Sequence, residues 1–203
     1  MKLAANISWL FKEEPDLLKR LPLAKAAGFD EVEVAWPYDY TIDAFQAAVK
    51  AAQVKVVLIN TAPSDNMGLA ATPGREDEFK ATLNQAIDYA SAVECPAIHI
   101  MVGNKTASVA EHRETLVKNL KWAEPLLTAK GLRGHLEPIN AKISAPNYVL
   151  TKPEEAFSIL DELNLTCFTY QCDFYHLQVE CGNITRFLEA NLARIGHIQI
   201  AQG

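Results

Sequence analysis

Apolar and polar positions alternate along this chain in a repeating rhythm of short and long segments. Leu3–Ser8, Glu31–Ala35, Val54–Asn60, Ala97–Met101, Gly134–Pro138, Phe168–Asp173 and His197–Ala201 are short runs rich in β-branched and apolar residues, and each reads as a strand. Between them lie longer stretches with helical spacing. They run over Asp16–Ala27, Thr41–Ala52, about Glu76–Glu94, about Ser108–Ala129, about Lys152–Leu163 and about Asn183–Leu192. Gly28 closes the first of these helices, and Thr41 is the expected N-cap of the second. Seven strands separated by helices, with no hairpin signal, predict parallel βαβ units in one domain over residues 1–203.

Two architectures share that rhythm, an open doubly wound sheet and a (β/α)8 barrel. The open sheet calls for a glycine-rich turn after the first strand, and Ser8-Trp9-Leu10-Phe11 stands there instead. Polar residues recur at the carboxyl ends of successive strands, where barrel active sites are assembled. The expectation is therefore a TIM-barrel type of fold. It is an incomplete one, with the eighth strand and its flanking helices missing after Gly203. Strands one and seven would then carry unpaired edges, which favour association with another chain.

Residues two apart on a strand share a face. His135 with Glu137, Thr169 with Gln171 and Asp173, and His197 with Gln199 then look into the barrel, as do Glu33, Asn60 and His99. The opposite faces, such as Phe168, Tyr170 and Cys172 or Ile198 and Ile200, are expected to pack on the outer helices. Glu137, Asp173 and Gln199 all offer oxygen, the donor preferred by Mg2+ or Mn2+. A cation there would offset the cost of burying carboxylates. The competing reading makes Glu137 and Asp173 strand-end residues that cap nearby loops or helices. His176, three residues beyond Asp173, is placed beside metal or substrate or simply at a helix start. His99 and Asn60 are candidate substrate-binding residues, and His99 serves equally as a satisfied core histidine; His197 is read as a buried hydrogen-bonding group. Arg75, after Pro73-Gly74, is either a carboxylate clamp or a solvated helix-start residue. Trp9, Trp36 and Phe11 either wall the pocket or pack the core.

Composition narrows the partners. Apolar residues make up 49% and charged residues 22%, and the net charge is −6. That balance excludes a disordered chain and gives nucleic acid or anionic lipid no basic surface. A small-molecule substrate is expected. The four cysteines show no CxxC pairing, no apolar run is long enough for a signal peptide or a membrane span, and the expected compartment is the cytoplasm.

Several segments together carry a resemblance: Val32-Glu33-Val34-Ala35-Trp36-Pro37-Tyr38, Leu58-Ile59-Asn60-Thr61, Pro73-Gly74-Arg75, Ile98-His99-Ile100-Met101-Val102-Gly103, Leu136-Glu137-Pro138-Ile139-Asn140 and Gly196-His197-Ile198-Gln199-Ile200-Ala201. The chain resembles the hydroxypyruvate isomerase family of the xylose isomerase-like barrels. The resemblance implies a carbohydrate-type isomerisation that interconverts hydroxypyruvate and 2-hydroxy-3-oxopropanoate through an enediol. It implies Glu137 as a catalytic proton donor and acceptor and as a metal ligand, Asp173 and Gln199 as further metal ligands, Arg75 on the substrate carboxylate and His176 on the substrate oxygens. It also implies a second catalytic glutamate on strand eight, so this chain alone is expected to be weakly active or inactive. A different sugar or 2-oxo-acid isomerase or epimerase of the same barrel, or a non-catalytic form, remains as an alternative.

Overall fold

A computed structural model describes residues 2–201. Met1, Gln202 and Gly203, and with them the reading of how the chain ends, lie outside the described residues. Seven strands, β1 (Ala4–Asn6), β2 (Glu31–Val34), β3 (Lys55–Asn60), β4 (Ala97–His99), β5 (Arg133–Leu136), β6 (Phe168–Asp173) and β7 (Ile195–Gln199), form one sheet in sequential order. Every neighbouring pair is parallel. The sheet curls until Glu33 on β2 bonds His197 and Gln199 on β7, so side chains bridge the interior. This is the TIM-barrel type of architecture, with its last described strand paired to β6 alone.

The helices follow from local chemistry. Helix α1 (Leu17–Ala26) starts where the Asp16 carboxylate accepts from the Leu18 amide, and α2 (Ile42–Ala52) starts where Thr41 accepts from Ala44. Helix α3 covers Glu76–Ala92. Helix α4 (Val109–Ala129) opens with a reciprocal capping box between Ser108 and Glu111. Pro153 leads α5 (Pro153–Leu163), where its missing N–H costs nothing. Helix α7 spans Ile184–Asn191. Between β6 and α7 the structure adds α6 (Phe174–Glu180), which the periodicity did not predict because seven residues are too few to show it. None of the described helices is long and apolar enough to cross a membrane.

The core lies between the sheet and its helices. Phe168, Tyr170 and Cys172 are buried on the outer face of β6, as expected. On β7 and just beyond it the expectation fails: Ile198 is 39% exposed and Ile200, one residue past the strand, is 72% exposed. Among the described residues no helix covers these isoleucines as α5 covers β6. The four cysteines are free, three of them buried and Cys181 exposed.

Space requires glycine at Gly68 and at Gly196. A Cβ on Gly68 would lie 2.3 Å from the Met101 carbonyl oxygen, because the loop after β3 runs against the loop after β4. Along β7 the register steps from Tyr170↔Ile195 to Gln171↔His197, leaving Gly196 as the extra residue of a bulge. A Cβ there would sit 2.0 Å from the Thr169 hydroxyl and 3.0 Å from the His135 ring.

Candidate active site

The strand ends deliver the polar residues to one interior. Glu137, one residue beyond β5, is 5% exposed. Its carboxylate accepts from Gln171 Nε2 at 2.9 Å, with His99 Nδ1 at 3.4 Å and His176 Nε2 at 3.9 Å. Burial pushes its pKa well above the ordinary value of 4.5, and the nearby Asp173 and Glu33 carboxylates push it further. Glu137, Asp173 and His176 bring potential ligand atoms within 4.8 Å of one another.

The capping reading of Asp173 holds. Its Oδ1 accepts the Tyr175 and His176 amides at 2.7 and 3.2 Å, capping α6. That cap places His176 in the first turn, over the site, while among the described residues Oδ2 accepts no hydrogen bond. The Gln171 nitrogen also donates to Gln199 Oε1 at 2.9 Å, so oxygens of Gln199 and Glu137 flank one amide. Asp173 and Gln199 are register partners across β6 and β7.

The state of His176 follows from its neighbour. Asn140 Oδ1 accepts the Ile143 and Ser144 amides at 2.9 and 3.1 Å, which commits its Nδ2 to donate. That nitrogen lies 2.7 Å from His176 Nδ1, so Nδ1 accepts and the ring proton sits on Nε2. Burial lowers the pKa of this ring, in keeping with a neutral imidazole. In this tautomer His176 therefore turns an N–H toward Glu137. Glu137, Asp173 and Gln199 are left as the oxygen set.

A divalent cation fits this set. Glu137 is buried with one close donor, two like charges face it, and all three donors are hard oxygens. Buried Gln171 Oε1 and His99 Nε2 also lack a protein partner, so the lumen holds polar capacity that the chain does not satisfy.

The other expected residues fall in two groups. His99 is fully buried at the end of β4 and joins the cluster; burial, with His176 and His197 nearby, brings its pKa down to about 3. His135 stacks on His197 with ring centres 5.7 Å apart and bonds Thr169 Oγ1 at 2.8 Å, and burial likewise brings it to about 3. Asn60 pairs with His99 in register and accepts the Tyr38 hydroxyl through its backbone carbonyl. Arg75 is not brought to the cluster. Its guanidinium is held by Glu78 at 2.8 and 2.6 Å and by Asp65 at 2.6 Å. Trp9 stands 58% exposed, edge-on to Trp36 at 6.1 Å. Asn140 and Gln171 were not singled out as site residues, although Gln171 shares the Asp173 face; Asn140 lies in a loop, where no periodicity marks it.

A curled parallel sheet with an acidic, oxygen-rich lumen at its strand ends defines a barrel of the enzymatic kind. A family model described as a xylose isomerase-like TIM barrel matches residues 21–203, and the chain belongs to that family. Over its whole length it is 42% identical to a Xenopus laevis protein named "Putative hydroxypyruvate isomerase", covering 77% of that protein. Over 98% of its length it is 34% identical to the 2-oxo-tetronate isomerase of Haemophilus influenzae, covering 79% of it. The crystal structure of AP endonuclease, family 2 from Brucella melitensis matches with a TM-score of 0.94 and 33% identity, over 98% of this chain and 79% of that one. The relatives with isomerase names put this chain with an isomerase kind of enzyme acting on a small molecule.

Proposed function

We propose that this chain carries a hydroxypyruvate isomerase site, with Glu137 as the group that moves the carbon-bound proton. The observation that carries the reading is Glu137 itself, a buried carboxyl with one close donor, set beside Asp173 and the His176 N–H. Glu137, Asp173 and Gln199 would hold the cation, Mg2+ or Mn2+ by donor type. When bound, it supplies positive charge that keeps Glu137 ionised and polarises the substrate carbonyl.

Glu137 then removes a proton from carbon 3 of hydroxypyruvate, and the electron pair moves to the carbonyl oxygen on carbon 2, giving the enediol. His176 Nε2–H donates to the oxygen on which charge develops. Return of a proton to carbon 2 and loss of the carbon 3 hydroxyl proton yield 2-hydroxy-3-oxopropanoate, an isomer of the starting acid. His99 and Asn60 are proposed to line the substrate side. Arg75 becomes a carboxylate clamp only by exchanging Asp65 or Glu78 for the substrate.

The test is exchange of carbon 3 protons of hydroxypyruvate in D2O with Mn2+, followed by NMR, which needs only one base. Exchange that disappears in Glu137→Gln is expected. A chain that binds Mn2+ yet exchanges nothing overturns the reading. The Haemophilus relative favours a second substrate, so the same assay on 2-oxo-tetronate separates a three-carbon from a four-carbon preference.

A further inference from the structure

Glu33, on β2, is as buried as Glu137 but differently employed. Its Oε2 accepts from Asn6 Nδ2 at 3.0 Å and from Gln199 Nε2 at 2.6 Å, and its Oε1 lies 2.6 Å from His197 Nε2. An ionised carboxylate only accepts, so all three partners must turn an N–H toward it. For Gln199 this settles a choice that the side chain leaves open. An amide presents either end with nearly the same shape, but only its oxygen ligates a hard cation. With the nitrogen committed to Glu33, the oxygen faces the other way. There it meets Gln171 Nε2, whose second hydrogen goes to Glu137. The bonds Glu33–Gln199–Gln171–Glu137 thus have one consistent assignment: Gln199 donates to Glu33, and Gln171 Nε2 donates both to the Gln199 oxygen and to Glu137, so a carboxylate accepts at each end. Asn6 is fixed in the same sense, because its Oδ1 accepts the Ser8 amide at 3.1 Å.

From this geometry we infer that Glu33 is a positioning residue whose carboxylate turns the Gln199 oxygen toward Glu137 and Asp173. It touches no reacting atom. The inference rests on the reading of Glu137, Asp173 and Gln199 as a cation site. In Glu33→Gln an NH2 group replaces one oxygen. If it stands in place of Oε2, it confronts the Asn6 and Gln199 donors, and the Gln199 amide flips and presents its nitrogen to the cation.

The probe is Mn2+ alone, titrated into the full chain with free Mn2+ followed by electron paramagnetic resonance. Glu33→Gln is expected to weaken binding about 10–100-fold, the usual effect of removing an outer-shell partner, with an unchanged circular dichroism spectrum. Combining it with Gln199→Glu is expected to recover most of the loss, because the amide at 33 then donates to a carboxylate at 199. Equal Mn2+ affinity in wild type and Glu33→Gln overturns the inference and leaves the cation site standing. No Mn2+ binding by wild type takes down both. If Glu33→Gln does not fold, the 15N-labelled wild type still decides. Contacts between the Gln199 and Asn6 side-chain amide protons, kept when Mg2+ is added, are expected, and their absence overturns the inference.

Discussion

Two buried carboxylates face the same lumen under opposite conditions. Glu33 receives three close side-chain donors, whereas Glu137 receives one and is surrounded by like charge. Both carry a similar desolvation cost. In the Glu33 pocket hydrogen bonds offset that cost and the side chain is fully employed as an anchor. In the Glu137 pocket they do not, and the remaining capacity is available to a cation and a substrate. Burial therefore does not separate the two acids of this barrel. The count of donors around each does.

The sharpest way to break this contrast is chemical. Glu137→Gln should slow carbon 3 exchange by about 10^2–10^4-fold, the usual contribution of a positioned acid–base group. Stability should respond the other way round. Glu33→Leu leaves three donors without an acceptor and should cost about 1–3 kcal/mol for each donor that stays buried and unpaired, read by urea unfolding. In the cation-free chain at pH 8, Glu137→Gln should cost nothing or raise stability. A loss there as large as that of Glu33→Leu would erase the distinction.

The pH dependence sharpens it further. The raised Glu137 pKa means that the folded chain holds a proton the unfolded chain has lost, so cation-free stability should fall as pH rises above about 4.5. Glu137→Gln should remove that slope, and Mn2+ should reduce it. His99 and His135, depressed to about 3, act in the opposite sense: their stabilising contribution is present above pH 6.5 and is lost as pH falls from 6.5 toward 3. Thermal melting across pH 4–9, with and without Mn2+, reads both slopes. The smallest effect belongs just past the edge strand, where Ile200→Lys should change stability by no more than about 0.5 kcal/mol.

Much of the frame was legible before any coordinates. Period-two runs, helical spacing and the Thr41 N-cap are local signals, and they placed the strands and helices within a few residues. Face alternation also put Glu33, His99, Gln171 and Gln199 on one side correctly. Three things were not legible, each for a physical reason. Helix α6 is set by a single Asp173 side chain and not by a period. The exposure of Ile198 and Ile200 depends on what packs over β7, which no property of the strand itself encodes. The pairing of Glu33 with His197 and Gln199 spans 164 and 166 residues, so only the curl of the whole sheet creates it. Arg75 illustrates the converse: its position at a helix start was readable, but its capture by Asp65 and Glu78 required knowing how the loop folds back.

The bulge at Gly196 carries a practical warning for anyone who mutates this chain by surface maps. The residue counts as exposed, yet even one methyl group there would collide with the Thr169 hydroxyl. Alanine scanning should find position 196 intolerant while Ile198, two residues on, accepts many replacements, because vacancy around an atom is directional and an average over the residue conceals which direction is closed.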